Sequence, residues 1–336
     1  MLRTVLGFDE VKRGLFWIWA AGLTLLLVLV GSQGFSEVAA AVAVAGWGLL
    51  WVAAFHLVPM TIDALGWYTL LPDESRRPFT ELLWMRWFGE SVNGLLPVAQ
   101  VGGDFLRVRL LSRAGIAVPV AGASVVVDLT ATVATQIIFA VVGLGLLVER
   151  GGGGGVVWEL FAGIAIFSLL VGGFYAAQRA GLFFALSRAL EGIVGDPGRF
   201  SIRGGAEDLD RLVRKLYRRQ RAFWAACFFH LAAWMLGAGE VWLALYFLGA
   251  PVTWADAIIL ESLGMAVRAA AFAVPGALGV QEGGFILLGP LVGLTPDTAL
   301  ALSLVKRVRE LVLGIPGLLA WQITEGWNLF RRQTQP

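Results

Sequence analysis

The sequence predicts an all-α polytopic membrane protein: six long spanning helices, two oppositely oriented re-entrant helical hairpins, and an inverted-topology repeat. Composition is the first reason. Of 336 residues 58% are hydrophobic and only 15% charged, there are 14 Trp, and mean hydropathy is +0.76, far more apolar than a soluble domain. A repeated stretch is the second. Gln100-Val101-Gly102-Gly103 is answered 181 residues later by Gln281-Glu282-Gly283-Gly284, each a few residues after a proline (Pro97, Pro275). The Glu-Ser pairs that precede them, Glu90-Ser91 and Glu261-Ser262, lie 171 residues apart, about half the chain. The third reason is physical: Pro followed by Gly-Gly breaks a helix, and a break at membrane depth survives only where it is packed in protein or lines a cavity. Paired breaks in corresponding halves point to a binding site between repeats.

A spanning helix needs about 20 apolar residues. Leu15 to Phe35 and Val38 to Leu71 supply the first two spans. The first reads as a retained anchor, because Asp9 and Glu10 stand among Arg3, Lys12 and Arg13 and no small-residue cleavage site follows. Pro72 to Pro78 is a polar turn. Phe79 to Arg113 is the first hairpin, with an apolar arm to Leu96, a break from Pro97 to Gly103, and a second arm carrying Arg107, Arg109 and Arg113. Neither arm is long enough to span alone. The third span is Val118 to Val148. Gly151 to Gly155 is a five-glycine linker, without the Lys-Ser/Thr pair that a phosphate-binding loop requires. Val156 to Ala177 is the fourth span. Residues 179–221 are polar and basic, with Leu209, Leu212, Val213, Leu216 and Tyr217 at helical spacing. That pattern fits an amphipathic helix lying along an anionic leaflet, and equally a solvated connector. Phe223 to Leu248 is the fifth span, Trp254 to Leu294 the second hairpin, and Pro296 to Ile323 the sixth span, leading to Arg331 and Arg332. The chain so divides into a first half (1–178), a cytoplasmic basic linker (179–221) and a second half (222–336).

Lys and Arg collect on the cytoplasmic side of a membrane. Placing the N-terminus inside puts 21 of the 26 there and makes both termini cytoplasmic. The first hairpin then enters from the cytoplasm and the second from the opposite face, which is the inversion used for alternating access. One cysteine, Cys227, and two histidines, His56 and His230, exclude a disulfide framework and a His/Cys zinc cage. No metal, cofactor or catalytic residue is predicted.

Ionisable residues at membrane depth are costly and mark function. Asp128 lies about ten residues into its span, roughly 15 Å, near the midplane. Lys306, Arg307, Arg309 and Glu310 reach a similar depth in the sixth span. The two spans are expected to face one another across a central cavity. Lys306 and Glu310, four apart, are expected to neutralise each other; one of Arg307 and Arg309 would pair with Asp128 and the other take an anionic ligand such as a phosphate. The arms after Gly102-Gly103 and Gly283-Gly284 would add free N–H groups at positive dipole ends. Asn93, Gln100, Asp104 and Arg107, with Glu90, complete the polar lining of a translocation path at the first hairpin; Glu261, Arg268, Gln281 and Glu282 do so at the second. The same charges also read as structural pins between packed helices. His56 and Asp63, seven apart on one helix face, with Glu240 on the fifth span, form either a proton relay or a structural His–carboxylate pair.

The run Arg86-Trp87-Phe88-Gly89-Glu90-Ser91-Val92-Asn93, continued by Leu96-Pro97-Val98-Ala99-Gln100-Val101-Gly102-Gly103-Asp104 and by Ser124-Val125-Val126-Val127-Asp128-Leu129-Thr130, resembles the transmembrane flippase domain of the lysylphosphatidylglycerol synthase family. Its nearest likeness is to the bacterial branch associated with hopanoid biosynthesis, and Pro275 to Gly284 resembles the family's second signature. The resemblance implies a flippase or scramblase-like lipid translocase in the bacterial inner membrane, with a phospholipid or hopanoid-type lipid crossing through a central polar cavity. No soluble aminoacyltransferase domain follows the last span before Pro336, so lysyl transfer is not expected. The partners expected are the lipid itself, a second copy of the chain and lipid-biosynthesis enzymes, with no nucleic acid. The competing reading is a non-transporting membrane scaffold for such enzymes.

Overall fold

The computed structural model describes residues 43–44, 46–96, 100–151, 154–194, 202–271, 275–277 and 279–333. They form eleven α-helices and no strand: α1 (Gly48–Leu70), α2 (Phe79–Leu95), α3 (Gly102–Arg113), α4 (Val118–Glu149), α5 (Gly154–Ala180), α6 (Leu182–Val194), α7 (Ile202–Arg218), α8 (Gln220–Phe247), α9 (Trp254–Ala270), α10 (Val280–Leu288) and α11 (Pro296–Gln333). Four are long and apolar enough to cross a membrane: α1, α4, α8 and, over Val157–Ala180, α5. The apolar window of α5 buries none of its residues against the rest of the chain, as expected of a helix facing lipid. The expected sixth span is a helix, but Lys306, Arg307, Arg309 and Glu310 keep it below the apolarity of a membrane span. The first span, Leu15 to Phe35, lies outside the described residues, as do Pro97 and Gly152-Gly153.

Helix boundaries follow local chemistry. Pro119 opens α4, where its missing N–H costs nothing. Thr253 and Asp256 form a reciprocal capping box at the start of α9, and Arg150, just past the end of α4, clasps the same box by donating to Thr253 Oγ1 at 2.8 Å and pairing with Asp256. Both breaks pass through left-handed backbone, but not at the Gly-Gly pairs. Gln100 (φ 57°) makes the first turn and Gly276, Ala277 and Gly279 (φ 59°, 50° and 75°) the second. Gly102-Gly103 begin α3 and Gly283-Gly284 lie inside α10. Their role is close approach: a Cβ on Gly103 would overlap the Gly89 carbonyl of α2, and one on Gly284 would come within 2.9 Å of Val267 of α9.

The long helices pack antiparallel in three crossings. In α1 against α8, Gly48 meets Phe247, Gly239 meets Phe55, and Gly66 meets His230. In α4 against α9, Gln136 reaches the Met265 carbonyl, Gly143 faces Ser262, and Arg150 reaches Asp256. In α11 against α2, Trp87 donates to the Leu313 carbonyl, Gly314 faces Leu95, and Gly317 faces Ser91. Glycine at such crossings lets backbones approach where lipid gives no hydrophobic drive for association.

The basic stretch 179–221 is seen as α6 and α7, and its apolar face is not free for a leaflet. Val213, Leu216 and Tyr217 are buried with Leu70, Ala123, Val127 and Ala226, with Leu209 and Leu212 packed beside them. Tyr217 donates to Gln178 Oε1 at 2.6 Å, and burial pushes its phenol up to about 12, so it remains a donor. Asp210 accepts from the Phe183 and Phe184 N–H groups at the start of α6. The amphipathic periodicity was spent on docking within the protein.

Candidate functional site

A cavity of about 320 Å³ opens among α1, α2, α3, α4, α8, α9 and α11. Pro59, inside α1 between His56 and Asp63, is part of its wall. The wall combines apolar surface with many charged side chains, and these fall into three networks.

The first network joins α1, α2, α3, α4 and α8. Asp128, fully buried, accepts from Arg107 Nη1 at 2.7 Å, from Arg86 Nη1 at 3.3 Å and faces His230 Nε2 at 2.9 Å. Arg107 also binds Asp104 at 2.6 Å and lies 4.7 Å above the Trp67 ring, a cation–π contact strengthened by its burial. Arg86 pairs with Asp63, whose other oxygen is 2.5 Å from His230 Nδ1.

The second network joins α1, α2, α8, α9 and α11. His56 Nδ1 is 2.7 Å from Glu240 and its Nε2 2.6 Å from Glu90. Arg309 Nε donates to Glu240 at 3.0 Å, and Lys306 donates to Glu261 at 2.5 Å. The third network pins the second break to α11. Arg307 donates to Glu282 at 2.9 Å, to Glu310 at 3.1 Å and to the Gly276 carbonyl at 2.6 Å. Arg268 holds Glu310 at 2.5 Å and Gln281 at 2.6 Å, and Gln281 reaches Ser303 at 3.2 Å.

These contacts correct several sequence-based expectations. Asp128 pairs with Arg107, Arg86 and His230, not with Arg307 or Arg309. Lys306 turns to Glu261, and Glu310 takes Arg268 and Arg307 instead of Lys306. His56 and Asp63 do not bind each other; each reaches across to α8, to Glu240 and His230 respectively. Arg307 is not part of the cavity wall. Nor are the helix starts free anion sites. The Gly103 N–H is taken by Asn93 Oδ1 at 2.7 Å, Asp104 neutralises the first turn of α3, and Glu282 caps α10 through the Gly279 N–H at 2.7 Å.

Of the residues singled out in the sequence, Asn93, Gln100, Asp104, Arg107, Glu261, Arg268, Lys306, Arg309 and Glu310 border the cavity together with His56, Asp63 and Glu240. Asp128 and Gln281 stand behind it as partners of these, and Glu282 as a partner of Arg307. His230 and Arg86 were missed. The signal that would have found them is the one applied to Asp128, an ionisable side chain at membrane depth.

Charge balance separates the networks. The third has two carboxylates and two arginines and is neutral. The first has three carboxylates (Asp63, Asp104, Asp128) against Arg86 and Arg107, and the second has three (Glu90, Glu240, Glu261) against Lys306 and Arg309. Each of these two is neutral only when its histidine carries a proton. Uncompensated charge in a low-dielectric interior is costly.

No curated protein and no solved structure matches the chain. Residues 17–317 match the family model described as the lysylphosphatidylglycerol synthase TM region. A match over most of the sequence, on a helical chain with four apolar membrane-length helices among the described residues, makes this a membrane protein that belongs to the lysylphosphatidylglycerol synthase TM region family.

Proposed function

We propose that this chain is a lipid translocase that moves a phospholipid or hopanoid-type lipid between leaflets through the charged cavity. The family is one related to lipid handling, and the observation that carries the reading is a cavity in a membrane protein lined by charged side chains from both halves. Two features support an inverted repeat around it. The four helices α1 to α4 correspond in order and kind to α8 to α11, and their crossings are exchanged: α2 lies on α11 while α9 lies on α4. The serines of the two Glu-Ser pairs take matched places, Ser91 against Gly317 and Ser262 against Gly143. The arms of the broken segments have 17, 12, 17 and 9 residues. Even 17 residues rise only about 25 Å, short of a core of about 30 Å, so we read both pairs as re-entrant hairpins.

We assign the head group to two side chains. Gln100 is held in the left-handed conformation at the first break, and its Nε2 is buried without a hydrogen-bond partner among the described residues. Glu90, with 39% of its side chain accessible, stands on the same wall. The membrane is the bacterial inner membrane, with both termini on the cytoplasmic side; a second copy and lipid-biosynthesis enzymes are the protein partners.

The test is leaflet exchange of a head-group-labelled phospholipid in proteoliposomes, paired with mass spectrometry of co-purifying lipids. Gln100→Ala and Glu90→Gln should slow exchange at least tenfold and lose the enriched lipid while the protein stays folded. Wild-type rates no faster than protein-free vesicles, for both phospholipid and hopanoid probes, would refute the proposal.

A further inference from the structure

The two histidines occupy matched positions. Each stands on one member of the α1–α8 crossing and points Nδ1 at a carboxylate on the other: His56 at Glu240 (2.7 Å), His230 at Asp63 (2.5 Å). Each points Nε2 at a carboxylate on a third helix: His56 at Glu90 of α2 (2.6 Å), His230 at Asp128 of α4 (2.9 Å). Each Nε2 also has a second neighbour, Arg309 Nη1 at 3.3 Å beside His56 and Thr132 Oγ1 at 3.4 Å beside His230, the latter with its hydrogen on the Asp128 carbonyl at 2.9 Å.

A neutral imidazole carries one N–H, so a ring between two carboxylates satisfies both only as the imidazolium. When that proton leaves from Nε2, the N–H bond breaks, the electron pair stays on the ring, and the proton passes to water in the cavity. The bared Nε2 then accepts from Arg309, or from Thr132 once its hydroxyl turns from the Asp128 carbonyl, and the histidine's bond to Glu90 or Asp128 is lost. His56 borders the cavity itself; His230 reaches it through Asp63 and Thr132, which both do.

The surrounding charges leave this alternation intact. Around His56, Arg309 Nε stays on Glu240 and Lys306 lies 3.9 Å from the same carboxylate. Around His230, Arg86 holds Asp63 and Asp128, and Arg107 holds Asp128. No third carboxylate contacts either ring among the described residues.

We propose that His56 and His230 are two proton-binding sites, one in each half of the α1–α8 crossing, whose protons decide whether Nε2 ties down Glu90 on α2 and Asp128 on α4. Release from His56 leaves the second network one negative charge in excess on the cavity wall, where Glu90 keeps only Arg309, at 3.9 Å. Release from His230 leaves the first network one negative charge in excess behind the wall, with Asp128 still held by Arg107 and Arg86. This deepens the translocase reading and rests on it for its consequence: the charge that a lipid head group meets in the cavity follows the protons.

The chain contains only these two histidines, so selective ¹⁵N labelling of the histidine rings reports on them alone. The full chain, reconstituted in bilayers with any affinity tag removed, is measured from acid to alkaline pH. At the acid end all four ring nitrogens carry hydrogen; on raising the pH, each ring keeps Nδ1–H and loses Nε2–H. Asp63→Asn should change the His230 signals and leave those of His56, and Glu240→Gln should do the reverse. Rings that stay neutral throughout, or neutral rings with hydrogen on Nε2, overturn the proposal, and the wild-type spectra decide this even where a variant fails to fold. Exchange in proteoliposomes with pH-invariant rings would remove the proton sites and leave the translocase; the predicted ring behaviour without exchange at any pH would do the opposite.

Discussion

Asp128→Asn is the perturbation that most directly tests the buried charge network. The wild-type carboxylate is fully buried and serves Arg107, Arg86 and His230. The substitution keeps the shape and removes the charge, leaving two arginines and a protonated histidine facing Asp63 and Asp104. Breaking a buried ion pair from one side costs about 3–5 kcal/mol. His230 can offset part of this by releasing its proton, so the expected loss is at the low end, about 3 kcal/mol, a large share of a typical total of about 5–15 kcal/mol. The assay is equilibrium unfolding in mixed micelles, run as a cycle with Arg107→Gln. Since Arg107 is left with a surplus charge in the first variant and Asp128 in the second, the double variant should cost less than the sum by about 1–3 kcal/mol. A loss under about 0.5 kcal/mol, or strict additivity of the two changes, would show that the network is not the electrostatic unit described.

Two further predictions concern packing. Gly143→Ala and Gly317→Ala should each destabilise by about 1–3 kcal/mol, because the added methyl would overlap the hydroxyl of Ser262 or Ser91. Its distance to the serine Cβ would be 2.9 Å in the first case and 3.1 Å in the second. Gly145→Ala, with nothing within 4 Å, is the control, and thermal unfolding that treats all three alike would discount the matched crossings. Tyr217→Phe leaves the buried Gln178 Oε1 without its donor and should cost about 1–3 kcal/mol. Limited proteolysis within residues 182–218 should then quicken by tenfold or more; unchanged cleavage would mean that α7 is not held by this contact.

Much of the architecture was already legible in the sequence. Apolar runs of membrane length located α4, α5 and α8 to within a few residues, and Pro and Gly marked both breaks. The rule that charge at membrane depth is costly selected Asp128, Glu240, Glu261, Lys306 and Arg309 before any contact was known. Periodicity of this kind needs only the neighbours along the chain, so it fixes where a helix begins, where it breaks and which face is polar.

Pairing is different, because it depends on how each helix is rotated and which helix lies opposite. Arg309 binds Glu240, 69 positions away, in preference to neighbouring residues of its own helix, and His230 binds Asp63 across 167. The glycines show the same division. Their sequence context marked a break, yet Gly103 and Gly284 are helical and are small because another backbone or side chain lies against them. The sequence by itself determined an all-helical membrane chain, its broken segments and the set of buried charges. Only the tertiary structure decided which charges neutralise one another, that two networks balance through histidine, and that the basic stretch docks on its own protein, because each of these is set by contacts between helices far apart in the chain.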